Sequence, residues 1–301
     1  MMNSELAFRD DRDAMKEEME APMPGMPASP LVSIVIPTKN SANALGHTLQ
    51  SINNQTYRNY EIIIVDNHST DETATIAKKY TNKIYFIGPE RTAQVNFGIK
   101  NAEGKYIYRI DSDWIVEPAV LEQAVKKCED EGFDAIIVHN SDDATISFWG
   151  RVRKFERDMY QQDDLNVAAR FIRKDILDKV GYFDENMVAA EDYDLHNRIE
   201  AAGYKIGRIS AKETYIGAPG TPDVIKKHYY YGTTLHEFLA NNSKKGMKQL
   251  SPLRPAYAKY WRLFFWHPVM GAGFLIYQVA RHSSAILGYM AVRALNSRHH
   301  V

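Results

Sequence analysis

Short runs of β-branched and apolar residues recur in the first third of the chain, separated by segments with helical periodicity. The runs at 31–36, 61–65 and 83–87 have the length and composition of buried strands. The segment 42–55 spaces its apolar residues as a helix does, and the segment 71–80 opens with acidic residues that suit a helix N-terminus. Strands that are apolar throughout need cover on both faces, so this order predicts an α/β fold with a doubly wound, mostly parallel sheet flanked by helices.

Proline and polar residues follow these strands at their carboxyl ends, where open α/β sheets hold their ligands. They are Pro37, Thr38 and Asn40 after the first strand, Asp66 after the second, and Asp111 and Asp113 after a later run at 105–110. One or two carboxylates together with substrate phosphates usually hold Mg²⁺ or Mn²⁺. An Asp-x-Asp pair alone also occurs in exposed turns, but with Asp66 at the same sheet edge it predicts a cluster of carboxylates that a cation would stabilise.

Longer motifs carry a resemblance to a known family. The matching segments are 32–40, 49–57, 61–73, Asn96-x-Gly98, Asp111-Ser112-Asp113 and 180–195. Together they cover roughly residues 31–215 and resemble family 2 glycosyltransferases of the GT-A fold. This resemblance implies an enzyme of the hexosyltransferase type. Such an enzyme moves a sugar from a nucleotide diphosphate donor to an acceptor, with inversion and under a divalent metal, Mn²⁺ or Mg²⁺.

The resemblance also implies a role for each matching residue. It assigns Pro37, Thr38, Asn40 and Asn96 to the nucleotide-sugar site, Asp66 to the nucleotide base, Asp111 and Asp113 to ribose, diphosphate and metal, and Glu191 and Asp192 to the catalytic acidic pair. Asp113 is implied as the more direct metal ligand, and Asp192 as the general base. Acidic residues are also common at helix N-termini, which is the structural alternative for the pair Glu191-Asp192.

The sequence departs from the family pattern near the diphosphate. Val95 stands where the family often has an arginine, which leaves Arg91 or Gln94 to contact the diphosphate. The segment 214–218 lacks a histidine that often binds the metal on the strand after the catalytic helix. His228 is the nearest histidine, and we leave it out of the predicted metal ligands.

Charge is balanced overall but unevenly distributed. The 37 Lys and Arg against 38 Asp and Glu give a net charge of -1, which predicts no nucleic-acid partner. Residues 1–30 hold seven acidic and three basic residues together with four prolines, which predicts a disordered acidic tail. Residues 1–20 are broken up by charge and lack the apolar core of a signal peptide, and the single cysteine, Cys128, fits a reducing compartment.

A predicted catalytic domain at 31–220 is followed by a basic, aromatic region at 221–301. After Glu237 the chain contains no acidic residue and nine Lys or Arg, mixed with Trp, Tyr and Phe. Its longest apolar segment, 269–280, is shorter than the roughly 20 residues of a spanning helix. The pattern predicts a helical module that lies on an anionic membrane surface. A soluble helical cap or an oligomer interface is the structural alternative.

The sequence therefore predicts a metal-dependent inverting glycosyltransferase with a UDP- or GDP-linked donor, peripheral on the cytoplasmic face of the cell membrane. The acceptor is expected to be a hydroxyl on a lipid-linked molecule or a surface glycan. A polyprenyl-phosphate glycosyl synthase is an alternative, although a phosphate acceptor is already anionic and needs little help from a base. A non-catalytic nucleotide-sugar-binding membrane scaffold is a further alternative. A sugar-phosphate nucleotidyltransferase would open with a Gly-rich, Arg-containing loop, and residues 37–41 do not form one.

Overall fold

The computed structural model describes residues 29–217 and 221–298. The predicted acidic tail at 1–30 therefore lies almost wholly outside the described residues. From Leu31 onward the chain forms one compact unit.

One sheet of eight strands runs through the described part of this unit. Its strands are β1 (Val32–Thr38), β2 (Tyr60–Asp66), β3 (Ile84–Phe86), β4 (Tyr106–Arg109), β5 (Trp114–Val116), β6 (Ala135–Asp142), β7 (Phe171–Arg173) and β8 (Ile206–Tyr215), in the spatial order β3-β2-β1-β4-β7-β6-β8-β5. The predicted α/β fold is confirmed, and β1 to β4 pair in parallel as expected. The sheet as a whole is mixed, because β7 is antiparallel to β4 and β6, and β5 is antiparallel to β8. β5 and β7, which the sequence analysis did not predict, have three residues each.

Twelve helices are described around this sheet. They are α1 (Ala42–Asn53), α2 (Thr73–Ala77), α3 (Arg91–Lys100), α4 (Val120–Glu131), α5 (Phe148–Asp158), α6 (Lys174–Val180), α7 (Glu191–Ala201), α8 (Thr221–Gly232), α9 (Leu235–Leu250), α10 (Pro255–Lys259), α11 (Trp261–Trp266) and α12 (Pro268–Arg298). α1 and α2 lie within the predicted helical segments 42–55 and 71–80. α2 is shorter than predicted because residues 78–80 form a turn.

β1 is buried along its whole length because both of its faces are covered. Ile34 and Ile36 belong to the same apolar cluster as Leu45 of α1. Val35, between them in sequence, belongs with Val95 of α3 to the cluster on the other face. This alternation follows the two-residue period of a strand. The two helical layers thereby fix the carboxyl ends of β1, β2 and β4 along one edge of the sheet.

The Asn96-x-Gly98 motif has a packing role. A Cβ at Gly98 would lie 2.5 Å from Cγ1 of Val35 and 3.2 Å from Cγ2 of Val65, so only glycine lets α3 approach the sheet this closely. The Nδ2 of Asn96 donates to the Phe183 carbonyl (2.8 Å), and its Oδ1 accepts from the Phe183 N–H (3.0 Å). The motif therefore holds α3 against the sheet and against the segment that leads to α7.

A smaller core between α5, α10 and α12 contains a buried carboxylate. Glu156 of α5 is 1% exposed and forms ion pairs with Arg153 (2.5 Å) and with Arg281 of α12 (3.2 Å). Its Oε1 also accepts hydrogen bonds from the Tyr257 hydroxyl (3.1 Å) and the Gln278 amide (3.0 Å). Glu156 thus joins the C-terminal helices to α5.

Helices α8 and α12 touch backbone to backbone. A Cβ at Gly232 of α8 would lie 2.1 Å from the Ala285 carbonyl oxygen, and one at Gly288 of α12 would lie 2.0 Å from the Tyr229 carbonyl oxygen. No side chain fits between the helices at these two positions, so the two helices pack at the closest distance that backbones allow.

The outer face of α11 and α12 exposes large apolar side chains. These side chains, each at least 57% exposed, are Trp261, Phe265, Trp266, Val269, Leu275, Ile276, Val279, Ile286, Leu287 and Met290. Among the helices that the structure describes, none combines the length and the apolar character that crossing a membrane requires.

Candidate functional site

A cavity of about 620 Å³ lies at the carboxyl ends of β1 and β4. The predicted site residues that line it are Pro37, Arg91, Asp111, Asp113, Glu191 and Asp192. Pro37 lies near the end of β1, the two aspartates follow β4, and the other three begin α3 and α7, so the fold brings distant segments of the chain together here.

The other four predicted site residues, Thr38, Asn40, Asp66 and Asn96, do not line this cavity. Asp66 is fully buried, and its carboxylate accepts from the Thr38 hydroxyl (2.7 Å) and the Ser69 N–H (2.8 Å). Asn40 has a positive φ of 46°, which asparagine tolerates, and its Oδ1 accepts from the Thr70 N–H (2.9 Å). These side chains tie the loops after β1 and β2 to each other.

Arg91, at the start of α3, links the two acidic groups of the cavity. Its guanidinium forms an ion pair with Glu191 and lies 3.4 Å from Asp111. Arg109, which the sequence analysis missed, lies 3.0 Å from Asp111 and 3.7 Å from Glu191. Burial disfavours the charge of Asp111, but Arg109 and Arg91 outweigh it and hold the pKa of Asp111 below its ordinary value. Gln94, the alternative to Arg91, is buried and donates to main-chain oxygens of β1 and β2.

Asp192 differs from its neighbour in the acidic pair. Glu191 is 2% exposed and is held by Arg91, whereas Asp192 is partly exposed and has no ion-pair partner among the described residues. The Oδ1 of Asp192 accepts from the Tyr193 N–H at 2.9 Å. Both acidic residues lie in the first turn of α7, where the helix dipole favours a negative charge. Asp192 is therefore the carboxylate of the pair that lines the cavity without an ion-pair partner among the described residues.

Asp113 lines the cavity, and no lysine or arginine of the described ranges lies within ion-pair distance of it. Burial, and next the charge of Asp111, raise the pKa of Asp113 to about 6. A cation beside this carboxylate would offset both effects. Residues 29–217 and 221–298 contain no cluster of three metal-ligating side chains. Asp113 therefore fits a divalent ion that takes one protein carboxylate and completes its coordination with substrate phosphates and water.

The rest of the cavity wall is basic and aromatic, a character that the sequence analysis did not predict. Its main side chains are Lys39, Arg153, Arg157, Arg170, Lys227, Trp114, Trp149, Tyr215, Tyr231 and Tyr277. Two guanidinium groups lie over the Trp114 ring, with that of Arg157 4.9 Å and that of Arg170 5.0 Å from the ring centroid. The available sequence signal is the four-residue spacing of Arg153 and Arg157, which puts both on one face of α5.

His228 of α8 also lines the cavity. Burial, and next the charges of Arg281 and Arg153, lower the pKa of His228 to about 3. The imidazole is therefore neutral, and its ring packs against Tyr231 with the centroids 5.7 Å apart.

Comparison with known proteins gives matches to one protein family. Residues 33–180 match the model of Glycosyl transferase family 2. An uncharacterised glycosyltransferase of Methanocaldococcus jannaschii is 31% identical over 201 residues, which cover 61% of this chain and 69% of that protein. An uncharacterised glycosyltransferase of Rickettsia prowazekii is 32% identical over 186 residues, which cover 56% of this chain. The chain spans 58% of the length of the Rickettsia protein.

A solved structure shares the architecture. The mannosyltransferase PcManGT of Pyrobaculum calidifontis, in complex with GDP-Man and Mn²⁺, superimposes with a TM-score of 0.57 at 16% identity. The match covers 94% of this chain and 92% of that chain. At this identity the likeness concerns the fold, which is the GT-A type that the motifs imply.

Proposed function

Because the chain belongs to glycosyltransferase family 2, we propose that it moves a hexose from a UDP- or GDP-linked sugar to an acceptor hydroxyl, with inversion. The acceptor in this proposal is a lipid-linked molecule or a surface glycan. The observation that carries the proposal is the geometry of the acidic pair. Arg91 holds Glu191, while Asp192 faces the same cavity as Asp111 and Asp113 with its carboxylate free.

An inverting displacement needs one base and a stabilised leaving group. The acceptor hydroxyl gives its proton to Asp192 while its oxygen bonds to the anomeric carbon. On the opposite face of the sugar, the bond from the anomeric carbon to the diphosphate breaks, and the nucleotide diphosphate leaves with the electron pair. This leaving group needs no proton, so a single carboxylate is sufficient. Arg91 and Lys227, which line the cavity, are available to hold the diphosphate charge.

A divalent ion, Mn²⁺ or Mg²⁺, is part of the proposal, with Asp113 as its direct ligand and Asp111 beside it. When bound, such an ion supplies positive charge that stabilises the departing diphosphate. The uncompensated carboxylate of Asp113 supports this assignment. So does the Mn²⁺ in the mannosyltransferase of similar fold.

Thermal unfolding tests the donor site. We expect one nucleotide among UDP and GDP, or one of their sugars, to raise the unfolding temperature of the full chain, and Mn²⁺ to increase that shift. A ligand at 100 times its dissociation constant stabilises the native state by about 2.7 kcal/mol. Asp113→Asn should remove the part of the shift that needs metal. Asp130→Asn, an exposed aspartate on α4, is the matched control and should behave as the wild type does.

A folded protein that no nucleotide stabilises would contradict the donor site. That result would also contradict the alternative of a nucleotide-sugar-binding scaffold, which differs from the proposed enzyme only in lacking turnover.

We further propose that the protein lies peripherally on the cytoplasmic face of the cell membrane, with α11 and α12 on anionic lipid. The exposed Trp261, Phe265 and Trp266 support this, and the exposed cations Lys259 and Arg262 lie in the same stretch. Aromatic rings beside lysine and arginine are typical of the membrane interface. Cations near such a surface contribute on the order of 1 kcal/mol each at low screening.

Vesicle flotation measures this contact. The full chain should float with vesicles that contain phosphatidylglycerol, and salt should weaken the binding because it screens the charges. Phe265→Ser combined with Trp266→Ser should reduce flotation without changing stabilisation by nucleotide. Met247→Ser, which also alters a 67% exposed apolar residue, is the control and should have no effect. Equal flotation of all three proteins would exclude this face as the membrane contact.

A further inference from the structure

A second cavity, of about 260 Å³, adjoins the first. Asp192 and Trp114 line both cavities, so the free carboxylate lies at their junction. The wall of the second cavity contains the six arginines Arg153, Arg157, Arg170, Arg208, Arg254 and Arg281. The carboxylates on the same wall are Glu156 and Asp192. This compartment beside the proposed base is therefore strongly cationic.

The ion pairs around this cavity leave one arginine without a counter-charge. Five of the six arginines have a carboxylate partner. Glu156 forms ion pairs with both Arg153 and Arg281. The other pairs are Asp142 with Arg157 (2.7 Å), Glu213 with Arg170 (3.0 Å) and Asp164 with Arg208 (2.7 Å). Asp164 is 95% exposed, so water screens much of its charge. Arg254 has no carboxylate within ion-pair distance in the described part of the chain. Its Nη1 donates to the Tyr160 hydroxyl at 2.8 Å.

Two of the arginines that line this cavity each have a buried guanidinium nitrogen without a hydrogen-bond acceptor among the described residues. These nitrogens are Nη1 of Arg170 and Nε of Arg254. Arg170 is 8% exposed and lines both cavities. Buried polar groups in folded proteins are normally hydrogen-bonded, and charged donors most of all. These two arginines therefore point to an acceptor group that the chain itself does not provide.

We propose that the second cavity binds an oxyanionic group, a phosphate or a carboxylate, of the acceptor molecule. The inference rests on the proposed function, because it takes Asp192 as the base that deprotonates the acceptor. Guanidinium groups match phosphate and carboxylate oxygens in a planar, bidentate geometry. With the anion held beside Arg208 and Arg254, a hydroxyl of the same molecule reaches Asp192 at the junction. The acceptor is thus an anionic glycan or head group rather than a neutral sugar.

Two substitutions address this cavity alone. Arg208 and Arg254 line the second cavity and not the first. Arg208→Gln and Arg254→Gln, each in the full chain, are titrated calorimetrically with glycerol 3-phosphate, glycerate and glycerol. The donor cavity is filled with the stabilising nucleotide diphosphate and Mg²⁺. Arg151→Gln, an exposed arginine on α5 outside both cavities, is the matched control.

We expect the wild type and the control to bind glycerol 3-phosphate or glycerate but not glycerol. Each variant should bind the anion at least about tenfold more weakly, since it loses a charge-assisted hydrogen bond. The side chain of Arg208 is 28% exposed, so we expect Arg208→Gln to fold. If Arg254→Gln does not fold, Arg208→Gln alone is sufficient for the test. Phosphatidic acid with short acyl chains, compared with glycerol 3-phosphate, shows whether the anion comes from a lipid or from a soluble molecule.

Three results would overturn the inference. They are equal anion binding by wild type and variants, displacement of the anion by the nucleotide, and absence of anion binding in a folded protein. A chain that binds no nucleotide would contradict the proposed donor site. Even then, loss of anion affinity in the variants would identify the second cavity as an anion-binding site. Failure of the donor site and failure of the anion site are therefore distinguishable.

Discussion

Replacement of Asp192 by asparagine should lower sugar transfer by about 10²–10⁴-fold while leaving nucleotide affinity unchanged. The amide has nearly the shape of the carboxylate but cannot accept the acceptor proton. Asp192 has no ion pair in the described residues, so the substitution breaks no ion pair of the cavity. The measurement is the rate of nucleotide release in the presence of acceptor, together with calorimetric titration of the nucleotide.

Two further variants separate a base from a residue that only shapes the site. Asp130→Asn should retain full activity, since this exposed aspartate lies outside the cavity. Glu191→Gln should weaken nucleotide binding as well as the rate, because it breaks the ion pair that positions Arg91. If Asp192→Asn kept more than about a tenth of the wild-type rate, Asp192 would not be the base.

Replacement of Glu156 by alanine should lower the free energy of unfolding by about 3–5 kcal/mol. The change leaves Arg153 and Arg281 largely buried without their counter-charge, and it removes the acceptor of the Tyr257 and Gln278 hydrogen bonds. Urea denaturation of the full chain measures the difference. Glu131→Ala is the control, because the exposed pair of Glu131 with Lys127 should contribute at most about 0.5 kcal/mol.

The contribution of Glu156 to the free energy of unfolding should depend on pH. Burial alone would raise the pKa of Glu156, but Arg281 and Arg153 outweigh it and hold that pKa well below its ordinary value of 4.5. A group whose pKa is depressed by folding stabilises the native state fully above its unfolded pKa, and loses this contribution as the pH falls through its folded pKa. The stability difference between wild type and Glu156→Gln should therefore be constant above about pH 5 and narrow below it. A difference that grew on acidification would contradict this assignment.

The sequence predicts elements whose signal is local. β1 and β2 follow from continuous apolar runs, and the polar edge of the sheet follows from the residues after them. β5 and β7 were missed although β3 has the same length, because their apolar runs at 114–116 and 171–172 are shorter than the run 84–87 that contains β3. The arginine walls were missed for a different reason. Arg153 and Arg170 belong to no motif, and they meet the cavities only because separate segments pack together.

In the basic C-terminal region too, the sequence does not predict which cations lie inside the protein. Its nine cations after Glu237 form one run in sequence, and the sequence predicts that the run faces a membrane. In the structure, Arg254 and Arg281 line the second cavity, where Arg281 forms an ion pair with Glu156. Sequence pattern could not separate inward from outward cations, because their partners are distant in the chain. Glu156, the partner of Arg281, lies more than one hundred positions earlier, and the Tyr160 hydroxyl that accepts from Arg254 lies 94 positions earlier.

Helix α8 forms part of the cavity wall through Lys227 and His228, and α12 forms part of the exposed apolar face. At Gly232 and Gly288 the two helices have no side chains between them to absorb a displacement. Close-packed interiors transmit strain rather than damp it. A displacement of α12 would therefore shift α8 as well, which couples the position of the exposed apolar face to the width of the cavity.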